Sequence, residues 1–215
     1  FKCFYCRRGR YNLCKNLRFV GTAASFPHIN GGFAEYCKVP LEALYKIPDE
    51  LSLEEASLAE PLSVAIHACR RGNLDVGEKV LILGVGPIGL FTACVAMLRG
   101  AVEPIVVDNV ELRLKLASDF GGYPINFEKV NVVDQVMKLT KGEGVDIVFE
   151  ASGSPSALSV AFKSVRKGGR IVLIGNLPDE DIKARLVNVV VKELDVKGLL
   201  RYANTFETAV TILSK

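Results

Sequence analysis

Between residues 79 and 200 the apolar positions cluster in short strand-like runs, some broken by a polar residue or glycine, separated by longer stretches of helical periodicity. The runs lie at 80–83, 105–107, 124–126, 145–149, 170–174 and 195–200. Residues 87–99, 111–120, 132–140 and 155–166 carry apolar side chains at helical spacing. Residues 181–190 read as a mixed, helical segment, and Asn204 opens a last helix. Runs of this length bounded by Gly or Pro predict strands buried on both faces, and their alternation with helices predicts a parallel sheet covered on both sides. The expected fold class is α/β, doubly wound.

The first 60 residues have another texture. Residues 1–30 show little periodicity and cannot build a core of their own. Residues 31–39 alternate apolar and polar after Gly31-Gly32, which predicts a half-buried strand ended by Pro40, and residues 44–48 read as a second. Ser52 and Glu55 form a capping-box pattern opening a helix through about Leu58, and a longer helix runs through Val64, Ile66, His67 and Arg71.

The first apolar run breaks into Gly84-Val-Gly86-Pro-Ile88-Gly89, continues as a helix, and is followed by the second run closed by Asp108. Strand, GxGxxG turn, helix, strand, acid is the dinucleotide-binding fingerprint of a Rossmann sheet. Gly84 permits the tight turn, Gly86 lets a pyrophosphate approach the backbone, and Gly89 lets the helix pack close to the strand. The helix N-terminus, with Ile88, offers N–H groups and partial positive charge to phosphates. Asp108 is placed to accept the adenosine ribose hydroxyls and to repel a 2′-phosphate, so NAD is expected over NADP. Arg113, with Ile174 and Gly175, which close the fifth run, completes the candidate cofactor contacts.

Cys3, Cys6 and Cys14 stand in a C-x2-C-x7-C pattern. Metal fits this segment better than disulfides, because the rest of the chain reads as a cytosolic α/β enzyme. Structural zinc takes four ligands, and a fourth cysteine is expected just before Phe1. Phe1 already lies inside the cysteine cluster and the last helix carries no stop signal, so the chain is expected to be a piece of a longer protein.

Composition narrows this little. The chain is 49% hydrophobic and 24% charged, with 27 basic and 24 acidic residues for a net +3. That balance argues against nucleic acid. No apolar run approaches the ~20 residues of a membrane span. The expected site is cytoplasmic, with no membrane partner.

CRRGRYNLC at 6–14, AEPLSVAIHACRRG at 59–72, GVGPIG at 84–89 and RYANTF at 201–206, in this order, resemble the zinc-dependent medium-chain alcohol and polyol dehydrogenases. Within that family the chain is similar to the sorbitol dehydrogenase and L-idonate 5-dehydrogenase branch; the long stretch at 18–36 leans toward the latter, CRRG and RYANTF toward the former. The resemblance implies a partial, mostly-β GroES-like catalytic domain with a structural-zinc lobe at 1–59, an NAD-binding Rossmann domain at 60–200, and the start of a return at 201–215. It implies structural and catalytic zinc, the latter held largely by residues outside this chain, with Glu60 ligating it directly or through water. It places Arg201 and Tyr202 against a small-molecule polyol or sugar-acid substrate, and implies a homo-oligomer.

His67 reads as a packing residue on an apolar helix, and His28 as a solvated loop residue. Cys37, Cys69 and Cys94 read as small buried hydrophobes. Two other readings stay open: a zinc-free NADPH quinone reductase-like enzyme, and a non-enzymatic dinucleotide-binding protein.

Overall fold

A computed structural model describes residues 2–22 and 26–215; the centre of the 18–36 stretch, residues 23–25, lies outside the described residues. The chain divides into two compact units, Phe1–Glu60 with Leu200–Lys215, and Pro61–Leu199.

In chain order the helices and strands are α1 (Leu53–Ala56), α2 (Ala59–Arg71), β1 (Lys79–Leu83), α3 (Pro87–Leu98), β2 (Val102–Asp108), α4 (Glu111–Asp119), β3 (Tyr123–Asn126), α5 (Val132–Leu139), β4 (Val145–Glu150), α6 (Pro155–Ser164), β5 (Val165–Leu173), α7 (Val187–Val191), β6 (Asp195–Gly198) and α8 (Phe206–Leu213). The six strands form one parallel sheet in the order β3-β2-β1-β4-β5-β6. Leu81, Val107, Val148 and Ile171 join Phe162 of α6 and Val136 of α5 in an apolar cluster. Phe149, Ile82 and Ile147 are fully buried as well. Burial on both faces is why the central strands β1 and β4 are so largely apolar, whereas the edge strands β3 and β6 are not.

Strand order reverses between β1 and β4, and there the sheet opens at its carboxyl end. Leu83 stands opposite Val107 on one side and Glu150 on the other. That register sets Gly84, Asp108 and Ala151 at one level, closed by Gly84 N–H to the Val107 carbonyl and Ala151 N–H to the Leu83 carbonyl, both at 2.8 Å.

Three expectations inside this unit shift. The helix expected to reach 166 ends at Ser164, and β5 starts immediately at Val165. There the Lys192 ammonium donates to the carbonyls of Phe162 at 2.9 Å and Val165 at 2.8 Å, closing the helix end. The helix expected over 181–190 shrinks to α7 at its C-terminal end, and residues 181–186 stay outside it. The last strand stops at Gly198, two residues early.

In the other unit the expected strands at 31–39 and 44–48 do not form; its described residues contain no strand, only turns, three short 3-10 helices (Cys6–Arg8, Tyr11–Leu13 and Leu41–Ala43), α1, the start of α2 and α8. A strand needs a partner run for its N–H and C=O groups, and Phe33 and Tyr36 are left exposed. Cys37 is exposed too, contrary to its reading as a buried hydrophobe, whereas Cys69 is buried and Cys94 half-buried. The capping box forms: Glu55 N–H donates to Ser52 Oγ at 3.2 Å, and Ser52 N–H to Glu55 Oε2 at 3.1 Å. Its helix ends at Ala56, short of Leu58. Among the described residues no helix is long and apolar enough to cross a membrane.

Candidate functional site

The switch point of the sheet carries a cleft of about 610 Å³, walled by Gly84, Gly86, Asp108, Arg113, Ser152 and Phe127 among others. Each glycine of the turn has its own reason. Gly84 has φ of +88°, and a β-carbon there would lie 2.8 Å from Ser152. A β-carbon on Gly89 would lie 1.9 Å from the Gly84 carbonyl oxygen. Gly86 differs: its φ is −67°, and a β-carbon would meet nothing within 4 Å. The protein itself does not need glycine at 86, but a ligand pressed against that backbone would. No side chain caps α3 at Gly86, so its first-turn N–H groups remain for such a ligand or for water.

Asp108 is buried to 6% exposure at the floor of the cleft. Its Oδ2 accepts Val85 N–H at 2.8 Å; its Oδ1 accepts the N–H groups of Asn109 at 2.9 Å and Val110 at 3.0 Å. Arg113 approaches at 3.5 Å. Burial opposes the charge on Asp108, but these backbone donors and the guanidinium outweigh it and hold the carboxyl below its usual range. The residue is therefore an anion at neutral pH, and a carboxylate has lone pairs left for hydroxyl donors. An open Gly86, an uncapped helix start and an ionised Asp108 fit a dinucleotide, and of the candidate contacts Gly84, Gly86, Asp108 and Arg113 line the cleft.

Four other candidates lie off this cleft. Ile88 belongs to the first turn of α3, and Gly89 packs on Gly84. The N–H groups of Ile174 and Gly175 donate to the Glu150 carbonyl at 2.8 and 2.9 Å. Sequence reasoning passed over Glu150 itself. It is fully buried, and its Oε1 accepts Ser152 N–H at 2.9 Å, Gly153 N–H at 3.0 Å and the Ser152 hydroxyl. An acid closing the apolar run of β4, as Asp108 closes that of β2, was the available signal.

In the other unit Cys3, Cys6 and Cys14 converge on the turns around Gly9. Cys3 Sγ lies 3.5 Å from Cys6 Sγ and 4.0 Å from Cys14 Sγ, and the three sulfurs all lie within 4.8 Å of one another. Tetrahedral zinc–thiolate geometry requires about 3.8 Å between sulfurs. Backbone N–H groups of Cys6 and Lys15 pull the Cys3 thiol down to about 6, whereas burial and the two neighbouring thiols push Cys6 up to about 11. A divalent cation relieves that conflict by stabilising all three thiolates. The residues present fit zinc as three of its four ligands.

Glu60, in the first turn of α2, belongs to this same unit as Arg201 and Tyr202, and the structure brings the three together. Burial pushes the Glu60 carboxyl up, and the Arg201 guanidinium pulls it partly back. Burial, then the Glu60 charge, pushes the Tyr202 phenol up. The Arg201 guanidinium lies 3.9 Å over the Phe19 ring, and Tyr202 meets Phe19 edge-on at 6.2 Å. His28 packs edge-on with Phe26 at 5.8 Å, and His67 is half-buried on α2.

Comparison with known proteins places this geometry. The alcohol dehydrogenase GroES-like domain family matches residues 1–49. Sorbitol dehydrogenase of Bacillus subtilis is 37% identical over 214 residues, covering 99% of this chain and 60% of the relative. L-idonate 5-dehydrogenase of Vitis vinifera is 38% identical over 217 residues, covering 99% and 58%. A solved structure from Sinorhizobium meliloti 1021, bound to NADP, superposes with a TM-score of 0.92 at 30% identity, covering 99% of this chain and 62% of that one. The chain thus spans less than two thirds of these proteins. The zinc-binding dehydrogenase family matches residues 87–215, more than half of the chain's 215, and the chain belongs to that family.

Proposed function

We propose that the protein carrying this chain is a zinc-dependent oxidoreductase that transfers hydride from a secondary alcohol of a polyol or sugar acid (L-idonate, sorbitol or xylitol) to NAD. The observation that carries the reading is the open backbone at Gly86 facing the cleft that Asp108 floors. The substrate class is supported by the relatives named sorbitol dehydrogenase and L-idonate 5-dehydrogenase. NAD rather than NADP is supported by Asp108, whose ionised carboxylate accepts ribose hydroxyls and repels a 2′-phosphate; the solved neighbour with NADP makes this a point to measure. The convergent thiols weigh against a zinc-free enzyme.

When bound, zinc supplies Lewis acidity at the alcohol oxygen and NAD the hydride acceptor. Gly86 and the first turn of α3 receive the pyrophosphate, and Asp108 with Arg113 positions the adenosine ribose. Glu60 would ligate the catalytic zinc directly or hold its water. Arg201 and Tyr202 orient the substrate: a guanidinium matches a carboxylate in bidentate geometry and also serves polyol hydroxyls. Cys3, Cys6 and Cys14 hold the structural zinc. The GroES-like part at 1–59, the cofactor domain at 60–200 and the return from 201 belong to this reading, as do a cytoplasmic location and a homo-oligomeric state.

The test is an assay of the full-length protein with sorbitol, xylitol and L-idonate, each with NAD and NADP, following reduced nicotinamide. Turnover with NAD is expected; no turnover by any of them, with zinc bound, overturns the reading.

A further inference from the structure

Arg201 and Tyr202 occupy an unusual piece of backbone. Arg201 has φ of +53° and Asn204 +56°, so two residues that carry β-carbons stand in the left-handed region on either side of Tyr202. Such a conformation persists only where the surroundings hold it. What holds it comes from 188 to 195 residues earlier in the chain. Asn12 Nδ2 donates to the Leu200 carbonyl at 2.8 Å. Asn204 N–H donates to the Tyr11 hydroxyl at 2.7 Å, and Asn204 Nδ2 donates to the Gly9 carbonyl at 2.9 Å.

All three anchors lie inside the loop that Cys6 and Cys14 close. Gly9, with φ of +70°, ends the turn begun by Cys6, its N–H donating to the Cys6 carbonyl at 3.0 Å. Tyr11 and Asn12 form the next turn, which delivers Cys14, whose N–H donates to the Tyr11 carbonyl. Asn12 is buried to 6% exposure, which is uncommon for an amide outside a hydrogen-bonded site. Few apolar residues pack in this lobe, so its turns take their shape from whatever fixes the three sulfurs.

We infer that Tyr11, Asn12 and Asn204 are positioning residues that join the three-cysteine lobe to Arg201 and Tyr202, so that metal bound by the cysteines sets the backbone of the substrate-facing pair. The lobe is then part of substrate recognition and not only a clamp on a loose loop. The substrate half of this inference rests on the function proposed above; the mechanical coupling does not.

Hydrogen–deuterium exchange on the full-length, zinc-loaded protein reads the coupling without any substrate. Cys14→Ser removes a lobe ligand. Faster exchange is expected over residues 200–205 as well as 3–14, while β1 and β4 stay protected and report an intact sheet. Loosening of 3–14 with 200–205 unchanged overturns the inference. Should Cys14→Ser fail to fold, Asn204→Gly decides: glycine keeps the left-handed backbone and loses the bond to Gly9. It is expected to release lobe zinc to a chromogenic chelator faster than wild type, since coupling runs both ways. It is also expected to raise KM for the alcohol about fivefold, in line with the removal of one hydrogen bond, with the Kd for NAD unchanged. Unaltered zinc release overturns the coupling. Faster release with unaltered KM overturns the substrate half, and a wild-type protein that turns over no alcohol removes the proposed function while leaving the exchange and release results to judge the coupling.

Discussion

The Asp108 carboxylate accepts the backbone N–H of Val85 at 2.8 Å, so the residue that closes β2 also fastens the glycine turn that follows β1. One carboxylate thus shapes the cleft and offers it a charge. Replacing Asp108 with Ala leaves the buried N–H of Val85 and the part-buried N–H groups of Asn109 and Val110 without their acceptor. Each such loss costs about 1–3 kcal/mol when nothing replaces it. We expect destabilisation of at least about 2 kcal/mol in urea unfolding. The Kd for NAD should weaken at least about tenfold, as removal of a charged hydrogen-bond acceptor for the ribose implies, and the preference over NADP should narrow.

The pH dependence follows from the same carboxylate. Its folded-state pKa lies below the unfolded value, because backbone donors and Arg113 outweigh burial. The folded protein therefore holds fewer protons, and the contribution of Asp108 is complete above about pH 5 and lost as pH falls through its folded value. Urea midpoints measured from about pH 5 to about pH 3 should fall in wild type and fall less in Asp108→Asn. Parallel declines would assign the acid sensitivity to other carboxylates.

Two glycines of one turn should separate fold from ligand. Gly89→Ala drives a β-carbon to 1.9 Å from the Gly84 carbonyl oxygen. Backbone cannot yield as a flexible side chain does, and a loss of about 3 kcal/mol or failure to fold is expected. Gly86→Ala meets no atom within 4 Å, so its thermal unfolding should match wild type. Its NAD affinity should nevertheless fall, as isothermal titration would read. Unchanged affinity would mean that no ligand presses on that backbone.

Glu150 offers a check on the opposite wall. Its Oε1 takes the N–H groups of Ser152 and Gly153 and the Ser152 hydroxyl in a fully buried setting. Glu150→Ala should destabilise by about 3 kcal/mol or more through those orphaned donors. Glu150→Gln keeps the oxygen and should recover most of it. A wall displaced without its clamp should weaken NAD binding in the Ala variant more than in the Gln variant.

Metal analysis of Cys6→Ser should show one zinc fewer per chain than wild type. The parallel sheet should keep its melting transition, because the sulfurs lie in the unit formed by Phe1–Glu60 and Leu200–Lys215, not in the one that carries the sheet. Unchanged zinc content would show that the cluster holds none.

What the sequence by itself determined is the part governed by local rules. The runs at 80–83 and 105–107, and that at 145–149 with its single Asp146, are strands because short apolar runs of this kind suit strands buried on both faces. The GxGxxG turn and Asp108 meet because a strand, a tight turn, a helix and a parallel strand admit one short right-handed path. The cysteine spacing foretold the sulfur cluster for the same reason: all three positions share one short loop. Local pattern misled at 31–39, where alternation without a partner run makes no strand, and over 181–190, where only the segment from Val187 on is helical. Tertiary structure alone decided the rest. Glu150 looked like one more acid until β4 and β5 closed over it. Ile174 and Gly175 sit at a strand end in the sequence, but pairing commits their N–H groups to the Glu150 carbonyl. That Asn12 and Asn204 share one anchorage is invisible along the chain, since hydrogen bonds between residues so far apart depend on how the whole chain returns to its beginning.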